Sequence, residues 1–141
     1  MIIRKKCLRS KYFTVNELTR SDVARQNGIE NIPSQVVTLK LQQLIEQVLD
    51  PLRELWSKPL LITSGYRCTQ LNRIVGGVAN SQHIAGEAAD LTAGSRAENR
   101  ALYEMAVRSK IPYDQIILEK GGLWIHISYR RNQPRRQHLE L

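Results

Sequence analysis

The chain has 141 residues, 42% of them apolar and 24% charged, which suits one globular domain with a core large enough to need no disulfide staples. No stretch approaches the roughly 18 apolar residues of a membrane span, and no apolar segment follows the basic start Met1-Ile2-Ile3-Arg4-Lys5-Lys6, so neither membrane insertion nor a secretory signal is expected. A net charge of +8 favours polyanions, whether nucleic acid, anionic headgroups or cell-envelope polymers, without choosing among them.

No repeat or low-complexity linker divides the chain, so residues 1–141 are expected to form one domain, with a core of about 12–130 and a solvated basic tail from 130 to 141. Asn16 to Gln26 reads as a short helix capped by Thr14 or Asn16, with Asn27-Gly28 as its stop. From Gln35 to Trp56 the apolar residues Val37, Leu41, Leu44, Ile45, Val48, Leu52, Leu55 and Trp56 recur at threes and fours, the pattern of a long amphipathic helix. Pro51 predicts a kink or break near Asp50.

Leu60-Leu61-Ile62-Thr63 reads as a short buried strand, Thr69 to Val75 as a helix ended by Gly76-Gly77, and Ala88 to Leu91 as a second strand. Residues 96–109 form another helix, with Ser95 as N-cap and Glu98 as its capping-box partner. Gln115 to Glu119 and Leu123 to Tyr129 are strands joined at Gly121-Gly122, a hairpin signal. The expected fold class is α+β: helices packed on a small antiparallel sheet that carries the site. Cys7 and Cys68 form no C-x-x-C pattern and read as reduced thiols, although a single bridge stays open.

Two of the three histidines fall in well-patterned stretches: His83 in residues 81–90, seven residues before Asp90, and His126 in the alternating run Trp124-Ile125-His126-Ile127-Ser128. Two imidazoles and a carboxylate suit one Zn²⁺, and three protein ligands leave a fourth tetrahedral position for water, the catalytic arrangement. Gly86, Ala88 and Ala89 are small enough for a close turn between His83 and Asp90. A carboxylate between Ala89 and Leu91 is costly to bury unless paired or metal-bound.

The residues Ser64-Gly65-Tyr66-Arg67, then Ser81, His83, Gly86, Ala88 and Asp90, then Trp124 and His126, resemble the D-alanyl-D-alanine carboxypeptidase family of zinc peptidases, which includes D,D-dipeptidases and phage endolysins and shares its fold with the hedgehog signalling domain. The match covers about 65 residues, and the upstream region from Tyr12 is similar to the single-domain phage and prophage branch. The resemblance implies that His83, Asp90 and His126 hold zinc. It also implies that Arg67 and Ser81 line the substrate cleft, with Arg67 near a peptide carbonyl or carboxylate.

Many members carry a catalytic glutamate three residues before the second histidine, where this chain has Leu123. Hairpin geometry offers Glu119 instead: with Gly121-Gly122 as a two-residue loop, Lys120 pairs with Leu123 and Glu119 with Trp124, placing Glu119 on the face of His126. Asp114 and Glu87 are its rivals as general base, and Trp124 serves as cleft wall or core.

The expected function is therefore a zinc-dependent peptidase acting on peptidoglycan stem peptides, as a D,D-carboxypeptidase or an L-Ala-D-Glu endopeptidase of endolysin type. It is expected to be a monomer made in the cytoplasm and acting at the cell wall or periplasm. One rival is a non-catalytic zinc-binding module, suggested by Leu123. The other, a nucleic-acid-binding protein, rests on charge alone, with no recognisable motif and 6% aromatics.

Overall fold

The computed structural model describes residues 11–141; Cys7 and the basic run Arg4-Lys5-Lys6 lie outside them. Where one short helix is expected, the chain forms two, α1 (Val15–Thr19) and α2 (Asp22–Gln26). Thr14 and Glu17 close a reciprocal capping box on α1, with Glu17 N–H donating to Thr14 Oγ1 at 3.2 Å and Thr14 N–H to Glu17 Oε1 at 3.0 Å. The break has a tertiary cause. Leu18 O, which a continuous helix would bond to residue 22, accepts instead from Tyr66 N–H, and Ser21 Oγ restarts the helix by accepting from Ala24 N–H.

The long helix is continuous but not uniform: α3 (Gln35–Leu44) passes through a π turn (Ile45–Leu49) into α4 (Asp50–Trp56). Pro51 has no N–H and its ring crowds the carbonyl four residues back. The chain answers by widening, with Asp50 N–H reaching Ile45 O, rather than by breaking. The inserted turn also shifts the phase of the apolar stripe. Leu49, outside the expected stripe, is fully buried, and Leu55, inside it, is 53% exposed.

The sheet has five strands in the order β1-β2-β4-β3-β5: β1 (Leu61–Ser64), β2 (Ala88–Thr92), β3 (Gln115–Glu119), β4 (Trp124–Ser128) and β5 (Gln137–Glu140). The short helix α5 (Thr69–Ile74) lies between β1 and β2, and α6 (Arg96–Arg108) between β2 and β3. Neighbours are antiparallel except β3 and β5, which run parallel. Ala89 and Leu91 of β2, Ile116 and Leu118 of β3, and Ile125 and Ile127 of β4 turn one face into the core, where they join Leu41, Leu44, Ile45 and Val48 of the long helix and Leu102 of α6. The alternate residues Asp90, Glu119, Trp124 and His126 take the other face.

Three further expectations are corrected. The hairpin loop spans Lys120–Leu123 rather than two residues; Lys120, Gly121 and Gly122 take φ of 52°, 68° and 112°, a run only a glycine-rich turn tolerates. Glu119 nevertheless pairs with Trp124 as expected. The tail is not simply solvated, because β5 covers the edge of β3 and Arg136 donates to Ile111 O and Ser109 O just past α6. Ser95 caps α6 through Glu98 N–H, but the Glu98 side chain reaches Ser95 Oγ and Lys58 in place of the capping-box backbone bond.

Candidate metal centre and cleft

Asp90 and His126 sit directly opposite each other in the β2–β4 ladder, on the face turned away from the core. His83 comes from the turn that follows α5, where Ser81 Oγ accepts from His83 N–H at 3.1 Å and sets the approach of the backbone. The turn closes at Gly86 (φ 76°), where a Cβ would lie 2.8 Å from Val37 Cγ1 and 2.9 Å from Val37 O. Helix α3 thus leaves room only for glycine.

His83 Nδ1 lies 2.7 Å from Gly65 O. A carbonyl only accepts, so Nδ1 carries the proton and Nε2 presents its lone pair. That nitrogen is 3.4 Å from Asp90 Oδ1, and His126 Nδ1 is 3.1 Å from the same oxygen. Donor atoms bonded tetrahedrally to one zinc at its usual bond lengths stand about 3.3 Å apart. The three donor atoms all lie within 4.8 Å of one another, so both the donor set and its spacing fit a zinc ion.

The electrostatics agree. Burial opposes ionisation of Asp90, yet the two imidazoles flanking it, His126 foremost and then His83, outweigh burial and hold the carboxyl well below the usual carboxylate range. Burial lowers the Arg67 guanidinium from its usual value, and the charge of Asp90 opposes that shift.

One cavity brings the triad together with Arg67, Ser81, Glu119 and Trp124. A second begins at Arg67, Asp90 and Trp124 and runs along β1 towards Arg20 and Asp22, so the cleft continues on both sides of the triad. Among the described residues, Glu119 is the only carboxylate besides Asp90 that lines the first cavity. The rivals stand elsewhere. Asp114 is fully buried against Arg135 and Gln82, and Glu87 is tied to Lys40 and Gln82. Leu123 is half-exposed in the hairpin loop.

Asn72 and Gly77 join the site without any individual signal in the sequence, where Gly76-Gly77 reads only as a helix stop. Asn72 is buried, accepts from Arg67 Nη1 at 3.2 Å and donates to Val78 O at 2.8 Å. A Cβ on Gly77 would stand 2.1 Å from Asn72 Oδ1 and 2.8 Å from Arg67 Nη1. Cys68 caps α5 through its sulfur and takes no part in the triad.

Comparison with known proteins identifies the family. Residues 11–128 match the peptidase M15 family. A stretch of 39 residues is 49% identical to the zinc D-Ala-D-Ala carboxypeptidase of Streptomyces albus G, covering 28% of this chain and 15% of that protein. With most of its length matched and a zinc-compatible triad of two strand residues and one turn residue, the chain belongs to the peptidase M15 family of zinc metallopeptidases.

Proposed function

We propose that this chain cuts peptidoglycan stem peptides, with His83, Asp90 and His126 as its zinc ligands, in the manner of a D,D-carboxypeptidase or an L-Ala-D-Glu endopeptidase of endolysin type. The observation that carries the reading is the meeting of Glu119, Arg67 and the triad in one cleft, on a chain whose family is one of peptidases. The same triad supports the likeness to the hedgehog-type zinc site, and the activity named for the Streptomyces relative supports the substrate class.

Zinc, when bound, polarises a peptide carbonyl and brings the pKa of water to about 7. Glu119, on the triad's face of the sheet, takes the proton of the attacking water and passes it to the leaving amine. Arg67 is steadied by Asn72 and offers its remaining donors to a peptide carbonyl or carboxylate. The cleft on either side of the triad gives an extended peptide room to lie across it.

The test is digestion of purified peptidoglycan by the zinc-loaded protein, with mass spectrometry of the products and a chelator control. Zinc-dependent fragments are expected, and their masses name the bond. Replacing His83, Asp90 or His126 by Ala removes metal and activity together, as zinc content after dialysis and the same digest will show. Leu123 favours a second reading, in which the chain binds zinc and wall peptides without hydrolysis. Intact murein beside a full equivalent of bound zinc would select it.

A further inference from the structure

We infer that Arg135 forms a carboxylate-binding subsite at the β3 side of the cleft, an inference that rests on the peptidase reading above. Arg135 lies beyond residue 128, where the family match ends, in the segment that returns to lay β5 against β3. That return brings its side chain into the cavity that holds the triad.

The guanidinium is anchored from one side only. Arg135 Nε donates to Asp114 Oδ1 at 3.2 Å and to Oδ2 at 3.3 Å, and Nη2 donates to Oδ2 at 2.7 Å. The backbone N–H of Arg135 also reaches Asp114 Oδ1, at 2.8 Å. Asp114 is fully buried and takes a further hydrogen bond from Gln82 Nε2, so the anchor cannot swing. Among the described residues no acceptor takes Arg135 Nη1, and the side chain is 45% exposed.

The charge at this end is positive as well. Arg130 Nη1 lies 4.0 Å from Asp114 Oδ1, so two guanidinium groups share that carboxylate, while Glu87, whose charge also acts on Arg135, is paired with Lys40. The nearby cavity residues Asn80, Ser81, Gln82 and Gln115 are uncharged and set no repulsion against an anion. A planar fork already held in place loses little freedom when a carboxylate docks on its open edge. Stem peptides built on L-Lys carry two carboxylates, the free C-terminus and the α-carboxylate of D-Glu, and either has the chemistry such a group binds.

The probe is the pentapeptide L-Ala-γ-D-Glu-L-Lys-D-Ala-D-Ala, alongside one form amidated at the C-terminus and one amidated at the D-Glu α-carboxylate. KM and kcat are measured for the zinc-loaded wild type, Arg135→Gln and Arg135→Lys, with thermal melts as a control on folding. Amidating the recognised carboxylate is expected to raise the wild-type KM by about tenfold or more, as losing a charged hydrogen bond does. Arg135→Gln should raise KM equally for the parent peptide and leave that amide unchanged, with kcat little altered. Arg135→Lys, which keeps the charge towards Asp114 but not the fork, should fall between them.

The amide that responds identifies the source of the carboxylate. Equal effects of Arg135→Gln on all three peptides would overturn the subsite and leave Arg135 as a counter-ion of Asp114. If the zinc-loaded wild type cuts none of the peptides, the peptidase reading fails instead. Calorimetric titration then decides Arg135 separately: equal affinity of wild type and Arg135→Gln for the parent peptide overturns the subsite, and weaker binding by the variant upholds it.

Discussion

Gly65 is constrained by contact rather than by backbone conformation. A Cβ there would lie 2.2 Å from Leu18 O and 2.8 Å from Leu18 Cα, while the glycine's own carbonyl orients His83 through Nδ1. Gly65→Ala must push the turn away from α1 and carry the His83 partner with it. The expected result is a loss of about 1–3 kcal/mol of stability and zinc binding weakened about 10- to 100-fold, the usual effect of disturbing a ligand's hydrogen-bond partner. Thermal melts and chelator competition measure the two effects, and a variant unchanged in both would show that the turn relaxes freely. Glu119, proposed above as the general base, calls for a test of chemistry rather than of structure. Glu119→Gln should keep its zinc and its melting temperature while turnover drops about 10²- to 10⁴-fold; near-normal turnover would remove Glu119 as the base.

At the scale of elements, β5 is held by an ion pair with a pH signature. Burial opposes ionisation of Asp114, but hydrogen bonds from the Arg135 side chain and backbone and from Gln82 hold its carboxyl below the usual range. A folded-state pKa below the unfolded value of about 3.9 means that the stabilisation is complete above that pH. It is lost as the pH falls through the folded value, because the unfolded chain then binds the extra proton. Asp90, also depressed, acts in the same direction, so the signature is a difference between two proteins. Asp114→Asn should lower neutral-pH stability by about 1–3 kcal/mol, less than a fully buried pair because Arg135 is half-exposed. Its stability should also decline less steeply than the wild type's between about pH 4 and pH 2. Denaturant midpoints across that range, taken on metal-free protein, measure both, and parallel curves would exclude Asp114 as the acid-sensitive latch.

For the whole molecule the excess of eight positive charges is the dominant long-range property. On the proposed function the partner is murein, which carries carboxylates and whose attached polymers carry phosphates, so electrostatic attraction would concentrate the chain there. Charges at the surface are screened beyond about 10 Å at 0.1 M salt and about 3 Å at 1 M. Retention on insoluble murein should therefore fall steeply between these salt concentrations, while zinc content stays constant. Binding that is indifferent to salt would place recognition in the cleft alone.

Periodicity and local chemistry determined the long amphipathic helix, the hairpin pairing of Glu119 with Trp124, the capped helix α6 and the candidate triad, since each depends on residues close together or on a ligand set whose chemistry is restrictive. The tertiary structure decided what depends on partners remote in sequence. Leu18 O spent on Tyr66 split the first helix, and the crowding around Pro51 became a π turn that moved Leu49 inward and Leu55 outward. Asn72 and Gly77 acquired roles only once α5 and the following turn closed around Arg67. The basic tail became β5 because the open edge of β3 and the buried Asp114 offered the hydrogen bonds and charge that no neighbour in the sequence could supply.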